Sequence, residues 1–411
     1  MMMMSLSQTA SPSASNKRRA FVVVIDALGV GAMPDAPAYN DSLTCNTLGN
    51  IDANAPLALP TLEKLGLGHI LPLTQVQAVP NFTAQVAKLA ELSVGKDTTT
   101  GHWEMMNVLL PEPFPTYPEG FPPDVVEAFL AQTGLQGILG NKPASGTAIL
   151  DELGQQHLET GFPIIYTSAD SVWQVAAHTS ITPLETLYQW CEISREILRG
   201  QHEVSRVIAR PFEGDATTGF KRLGSYRKDY AVEPQSEGNV LVELNTAGIP
   251  TLSIGKIQDI FCNVGISHHI KSKDNPHGLQ ILQDLVSQRL AFDSLATADC
   301  PETLKQASQQ LIFINLVETD MNYGHRRDVV GYANALEVID TALAEFVTAM
   351  TPDDLLILTG DHGCDPTAPG SDHTREYVPM IAYSPSLPPQ QQGTLHGFNH
   401  VGQLAKQWFV D

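Results

Sequence analysis

The stretch Thr359-Gly-Asp-His-Gly-Cys-Asp-Pro-Thr-Ala-Pro-Gly-Ser-Asp-His-Thr-Arg375 sets an aspartate, Asp361, directly before a histidine, His362. It returns a second histidine, His373, after a segment punctuated by Gly363, Pro366, Pro369 and Gly370. The preceding run, Asp354-Leu-Leu-Ile-Leu358, is too short for a helix and reads as a buried strand that ends in the Asp-His pair. Burying a carboxylate with imidazoles is costly without a cation, and this donor mix suits borderline divalent metals such as manganese or zinc. Cys364 lies inside the stretch and reads as a bystander.

The same arrangement occurs twice more. Arg19-Ala-Phe-Val-Val-Val-Ile25 ends in Asp26, with Gly29 and Gly31 beyond it; Leu311-Ile-Phe-Ile-Asn-Leu-Val317 runs into Glu318 and Asp320, and His325 follows in Gly324-His-Arg-Arg-Asp328. Runs without polar alternation are those of strands covered on both faces, and ligands of such sheets gather at the carboxyl ends of the strands. Three acids and three histidines are therefore expected on one rim. Any one of these acids alone would read as a turn or cap residue; together they read as a metal site.

A second chemical stretch is Gly95-Lys-Asp-Thr-Thr-Thr-Gly-His-Trp-Glu-Met-Met106. Asp97 or a threonine can cap a helix beginning near His102, and free N–H groups at such a start can bind phosphate. A plain cap is the ordinary reading, but a threonine hydroxyl beside a metal can also become a nucleophile. His102, next to Trp103, reads as a structural or supporting histidine rather than a ligand, and His268 and His269 read as surface residues.

The elements that must position these groups follow from the rest of the chain. It has 411 residues, a formal charge of -21 and 43% hydrophobic residues, enough for one large or two medium domains. The acidity excludes a nucleic-acid partner and an anionic membrane surface. Five cysteines without paired spacing point to a reducing, cytoplasmic setting. Lys17-Arg-Arg19 before the first apolar run mimics a signal peptide, but Asp26 interrupts that run, which is taken as a strand; no other run approaches a membrane span. Residues 1–19 are expected to be a disordered extension.

From Pro111 the texture changes: Pro111, Pro113, Pro115, Pro118, Pro122 and Pro123 make a stiff entry into a segment with a helix from Asp124, strands at Ile164–Tyr166 and Val204–Ala209, and a helix over Leu184–Arg199. The helix-then-strand rhythm resumes with Gly238–Gly248 and Ile249–Ile254. The expectation is an α/β core, 20–113 and 236–411, interrupted by a smaller α/β cap domain over 114–235. Within the cap, Arg210, Lys221, Arg222, Arg227 and Lys228 concentrate positive charge; each can be an ordinary solvated residue, and a subset can grip a phosphate.

Phe21-Val-Val-Val-Ile-Asp26, Gly95–Glu104, Gly140-Asn-Lys-Pro-Ala-Ser-Gly146, Tyr166-Thr-Ser-Ala-Asp-Ser171, Arg206-Val-Ile-Ala-Arg-Pro-Phe212, Gly324–Asp328 and Asp361-His-Gly with Asp372-His-Thr-Arg-Glu376 together resemble the bacterial phosphopentomutases of the alkaline phosphatase superfamily. The resemblance covers essentially the whole chain after residue 20. It implies an alkaline-phosphatase-like core with a mostly parallel sheet between helices. It implies that Asp26, Asp361 and His362 hold one manganese and Asp320, His325 and His373 the other, with magnesium, zinc or another divalent ion as substitutes. It makes Thr98 the phosphorylated residue, puts Ser168, Asp170, Arg210, Arg227 and Lys256 around a small sugar phosphate, and implies a sugar bisphosphate activator. Departures are Ala27 for a usual serine, Glu318 for a usual aspartate, Gly360 for a usual alanine, and an end soon after Phe409 without the customary tail.

The expected reaction interconverts ribose 1-phosphate and ribose 5-phosphate, or the deoxy forms, in nucleoside catabolism, through phosphothreonine and a 1,5-bisphosphate. The cap would keep water away, since otherwise the phosphoenzyme would hydrolyse. Two other readings stay open on the sequence: another two-metal enzyme of the superfamily, such as a phosphatase or a cofactor-independent phosphoglycerate mutase, and a non-catalytic sugar-phosphate sensor. Oligomeric state and the preference between ribose and deoxyribose are open as well.

Overall fold

The structure, a computed structural model, describes residues 18–168, 171–287 and 307–410. They divide into two compact units, one reaching to Pro111 and resuming at Pro234, the other Glu112–Glu233. The strands are β1 Arg18–Ile25, β2 Gln85–Ala90, β3 Leu139–Pro143, β4 Ile164–Thr167, β5 Val172–His178, β6 Arg206–Asp215, β7 Gly219–Arg222, β8 Lys228–Ala231, β9 Thr251–Ile254, β10 His268–Ile270, β11 Gln309–Leu316, β12 Asp354–Thr359, β13 Val378–Tyr383 and β14 Gln390–His396. The first strand thus begins at Arg18, inside the segment expected to be disordered; the remainder of that segment, 1–17, lies outside the described residues.

The larger unit is built on an eight-stranded sheet in the order β10-β9-β11-β1-β12-β13-β2-β14. All neighbours are parallel except at β13, which runs antiparallel to both β12 and β2. β1 is central because Phe21-Val-Val-Val-Ile25 has no polar face to give to water; every residue from Arg19 to Ile25 is buried. Its odd face, Phe21, Val23 and Ile25, packs in one core with Leu48 and Ile51, with Leu279 and Leu282, and with Leu336, Ile339, Leu343 and Phe346. The last four belong to a helix, Val329–Ala349, whose start Asp328 caps through the Gly331 N–H at 2.8 Å. Helix His400–Val410 meets β1 and β12, so the sheet is covered on both sides.

Register decides where the chemistry lies. Ile25 pairs with Leu316 and Val24 with Thr359, so β11, β1 and β12 finish at the same level and Asp26, Asp320 and Asp361 leave the sheet at one edge. At the opposite ends the Arg19 guanidinium grips Asp354, Nε to Oδ1 at 2.7 Å and Nη2 to Oδ2 at 3.0 Å, and donates through Nη1 to Leu285 O at 2.7 Å. This buried bidentate pair fixes β1 against β12 far from the rim.

His268 and His269, expected at the surface, are only partly exposed. They form β10 at the edge of the sheet and are half-buried, and the His269 Nδ1 pairs with Ser253 Oγ at 3.0 Å.

The second unit has its own sheet, β3-β4-β5-β6-β7 with β8 pairing β6, and its own core around Phe121, Phe129 and Trp173. Helices Pro123–Thr133, Ala148–Thr160 and Leu184–Ile197 accompany it. β5 is hard to recognise in sequence because Gln174 and His178 interrupt it, yet all seven residues are buried. Both polar side chains find partners: Gln174 Oε1 accepts from Arg210 Nε at 3.0 Å, and His178 pairs with Gly214 O at 2.9 Å and Ser180 Oγ at 2.7 Å. Among the described residues, no helix is long and apolar enough to cross a membrane.

Candidate metal centre

Two groups of metal-ligating side chains assemble at the carboxyl rim: Asp26 with Asp361 and His362, and Asp320 with His325 and His373. Within each group one ligand atom from each residue lies within 4.8 Å of the others. The His362 and His373 rings stack at 3.8 Å between centroids, so the two groups adjoin.

Each side chain is aimed from behind. The Asp26 Oδ2 accepts from Asn315 Nδ2 at 2.9 Å, and the Asp361 Oδ1 accepts from the Ala27 N–H at 2.9 Å. That leaves Asp26 Oδ1 and Asp361 Oδ2 buried without a hydrogen-bond partner, as is Asp320 Oδ1. The His325 Nδ1 is held by Ser371 O at 2.5 Å and the His362 Nδ1 by Gly363 O at 3.1 Å, which turns each Nε2 inward. The Nε2 atoms of His325 and His373 then face each other at 3.1 Å, a contact two lone pairs cannot share without a proton or cation between them. One oxygen pinned and the other bare, one ring nitrogen pinned and the other inward, is the donor set a divalent ion requires. The residues fit the group.

Electrostatics agree. Burial, then the charges of Asp361 and Asp320, push the Asp26 carboxyl well above the usual carboxylate range, against the Asn315 hydrogen bond and the nearby Lys256 charge. Burial also raises Asp361, but His362, His102 and the Ala27 N–H outweigh it and hold this carboxyl at about 2. For Asp320 burial is likewise outweighed, by the His325 and His373 imidazoles beside it, and its carboxyl falls far below the usual range. Asp320 holds the His325 imidazolium to higher pH than usual, whereas burial lowers His362. Three carboxylates this close cannot all be charged at neutral pH without added positive charge.

The irregular loop that returns His373 is closed by a short antiparallel bridge, Gly363 N to Thr374 O at 3.1 Å and Thr374 N to Gly363 O at 2.8 Å. Arg327 ties down its middle, donating to Gly370 O at 2.8 Å, Asp365 O at 2.8 Å and Asp372 O at 2.9 Å. Beneath it Glu376, fully buried, accepts from the Gly31 and Thr47 N–H groups and from the Thr47 and Thr374 hydroxyls. Cys364 is buried against Arg327 and belongs to neither ligand group.

The threonine loop reaches the same centre. Its helix runs Thr98–Met105, four residues earlier than expected, because Asp97 caps it by accepting from the Thr99 N–H at 3.0 Å and the Thr100 N–H at 3.2 Å. Thr100 Oγ1 donates to Asp97 Oδ2 at 2.5 Å and is committed to the cap. Thr98 Oγ1 lies 3.3 Å from His362 Nε2. Arg375, two residues after His373, donates to Ser93 O at 3.0 Å and Gly95 O at 2.6 Å, and Lys96 bridges Asp41 at 3.1 Å and Asp372 at 3.0 Å. Loop and helix are thereby lashed to the segment that carries His373.

Of the residues expected around a sugar phosphate, Lys256 is exposed at the start of helix Ile257–Ile260, near enough to act on Asp26. The other described ones belong to the second unit. Ser168 follows β4, and Arg210 and Arg227 act, with Arg222, on the buried Tyr166 hydroxyl. Arg227 is paired with Asp229. Asp170 lies outside the described residues. Asn315, Arg327, Arg375 and Glu376 were not anticipated as parts of the centre. For Asn315 the signal existed, a single amide inside the otherwise apolar run Leu311–Leu316.

The model of the Metalloenzyme superfamily matches residues 18–406, so the chain belongs to that superfamily. Curated relatives narrow this. Phosphopentomutase of Caldanaerobacter subterraneus subsp. tengcongensis is 48% identical over 370 residues, 90% of this chain and 88% of the relative. Phosphopentomutase of Anaeromyxobacter dehalogenans strain 2CP-C is 46% identical over 396 residues, 96% of this chain and 95% of the relative. The chain belongs to the phosphopentomutase family, a family of isomerases. Among solved structures, the PH0037 protein from Pyrococcus horikoshii is similar with a TM-score of 0.47 at 10% identity, over 96% of this chain and 98% of that one.

Proposed function

We propose that this chain interconverts ribose 1-phosphate and ribose 5-phosphate, and their 2-deoxy forms, through a phosphorylated Thr98 and a pentose 1,5-bisphosphate. The observation that carries the reading is the Thr98 hydroxyl 3.3 Å from His362 Nε2, at the seam of two carboxylate–imidazole groups. Asp26, Asp361 and His362 would hold one divalent cation and Asp320, His325 and His373 the other, with manganese the preferred ion. Bound there, two cations contribute +4 against three aspartates and offset charge on the attacking and leaving oxygens.

The chain's own residues do the rest. Asp97 and Arg375 hold the Thr98 loop, which fixes the nucleophile's direction. In the first half-reaction the bond from Thr98 Oγ to phosphorus breaks and a bond to the free sugar hydroxyl forms, while the hydroxyl proton is left on Thr98 Oγ. The bisphosphate turns, and its other phosphoryl returns to Thr98 with the reverse proton movement. A sugar bisphosphate serves as activator by loading Thr98. Arg210 and Arg227, with Ser168 and Asp170, and Lys256 are assigned to the remote phosphate, where the arginine fork suits the phosphate oxygens. The assigned setting is the cytoplasm.

Incubation with ribose 1-phosphate, Mn2+ and a trace of glucose 1,6-bisphosphate tests the reading. Ribose 5-phosphate with little inorganic phosphate is expected, together with loss of turnover in Thr98→Ala. Inorganic phosphate as the main product would make the protein a phosphatase; phosphate on Thr99 or Thr100 with an active Thr98→Ala would remove the nucleophile.

A further inference from the structure

His102 stands one turn after Thr98 on the same helix, with no exposed surface. Its Nδ1 lies 2.8 Å from Thr98 O and 3.2 Å from Asp361 Oδ2. One N–H thus faces both the main chain of the candidate nucleophile and the bare oxygen of a candidate ligand. It is directed at the carbonyl, and the carboxylate is drawn to it by charge.

The surroundings leave the ring little freedom. Gly101 lets the helix lie directly on the metal strand's end: a Cβ there would stand 2.0 Å from Asp361 O. The His102 ring packs beside Phe313 of β11 at 6.0 Å between centroids. Asp361 Oδ1 is already held by the Ala27 N–H, so rotation about that anchor would carry Oδ2 away from the centre. On the Oδ2 side, His102 Nδ1 and His362 Nε2, the latter at 3.4 Å, are the nitrogens that oppose it. His362 would give its Nε2 to a cation, which leaves His102. The far nitrogen of His102, Nε2, is buried without a partner. All the polar work of this side chain falls to Nδ1.

We propose that His102 is a positioning residue for phosphoryl transfer, its Nδ1–H setting the offset between Thr98 and Asp361 Oδ2, the oxygen that the Asp26–Asp361–His362 group would offer to a cation. The proposal rests on the reading of Thr98 as the phosphorylated residue. Partners that orient metal ligands from behind are typically worth about 10–100-fold in metal affinity or activity. The offset matters because small misplacements of a nucleophile act on the chemical step rather than on substrate binding.

Asparagine can offer an N–H at the position of Nδ1 while lacking the rest of the ring; leucine lacks the donor. Both variants lose ring volume, so packing alone would affect them alike. Three quantities are measured on the full chain: kcat and KM with ribose 1-phosphate, phosphate on Thr98 by intact mass after loading with glucose 1,6-bisphosphate, and Mn2+ uptake by the chelated protein in equilibrium dialysis.

His102→Leu is expected to lower kcat about 10–100-fold with KM nearly unchanged, and to weaken uptake of one of two Mn2+ ions. His102→Asn is expected to recover most of both. Equal behaviour of the two variants, or wild-type kcat and Mn2+ uptake in His102→Leu, overturns the proposal. If His102→Leu does not fold, the test passes to the wild type, where the 15N-labelled imidazole must show a protonated, slowly exchanging Nδ1; its absence overturns the proposal equally. Thr98→Ala, run in parallel, separates the two ideas. Activity and phosphate surviving in that variant defeat the Thr98 reading, whereas wild-type kcat and Mn2+ uptake in His102→Leu defeat only the role of His102.

Discussion

The two ligand groups are alike in chemistry and unlike in setting. Asp26, Asp361 and His362 are 2%, 0% and 1% exposed, while Asp320 is 8% exposed and His325 and His373 are half-buried. The inner group has two carboxylates and one imidazole whose affinity for a proton burial reduces; the outer has one carboxylate and two imidazoles that pair with it, at 3.2 and 3.4 Å. The outer group can therefore neutralise itself with protons when no cation is bound. The inner group has one imidazole for two carboxylates, and one of its acids, Asp26, is driven toward the protonated, neutral form instead. A buried centre with surplus negative charge is expected to hold its ion more tightly than a half-exposed one.

The sharpest attempt to break that contrast is Asp361→Asn against His325→Asn. The inner substitution is expected to remove turnover beyond the about 10–100-fold typical of supporting residues and to abolish uptake of the tighter ion. The outer one should leave one tight Mn2+ per chain in calorimetric titration. Equal losses in both variants would mean that the groups act as one site.

Gly101→Ala comes next. Its Cβ would press on main chain, which cannot yield as a flexible side chain would, so the Thr98 helix must move off Asp361. Overpacking of this kind costs about 1–3 kcal/mol, visible as a lower melting temperature, with a fall in kcat while the outer ion still binds.

A smaller effect is expected from pH. A metal must displace any proton on its ligand, and Asp320 holds the His325 proton to higher pH while burial lets His362 lose its proton earlier. As pH falls from about 7.5 toward 6, a range centred near the ordinary histidine value, Mn2+ should leave the outer group first; simultaneous release in a two-ion competition titration would contradict this.

The mildest concerns the support under the loop that carries His373. Burial raises Glu376 to about 7, against its hydrogen bonds from Thr47, Thr374 and Gly31. A carboxyl with a raised folded value contributes stability that is complete below its unfolded value, near 4.5, and is lost as pH rises through about 7. Denaturant midpoints of the wild type should therefore decline across that window. Glu376→Gln, which does not titrate, should flatten the decline.

Much of this was legible in the chain. The apolar runs at Phe21–Ile25, Leu311–Leu316 and Leu355–Leu358 announce strands with no face for water, and acids at their ends announce a polar rim. Less was legible where polar side chains interrupt buried elements. β5 carries Gln174 and His178, each satisfied by a partner distant in sequence, and the edge strand His268–Ile270 shows its histidines without any alternation to mark it. Local pattern carries no information about such partners. The same holds for Arg375, which reads as one more cation after a histidine until its guanidinium is found on Ser93 and Gly95, some 280 residues earlier in the chain.

By itself, then, the order of residues determined which side chains are costly to bury and that they stand at strand ends, because hydrophobic runs and their polar terminators are local properties. Only the tertiary structure decided that β1 lies between β11 and β12 in a register that levels those ends. It also decided which oxygen of each aspartate is pinned and which is bare, and that Thr98 rather than its two neighbours faces His362. Those facts depend on strand pairing and on hydrogen bonds between segments hundreds of residues apart, and they exist only once the sheet has closed around its first strand.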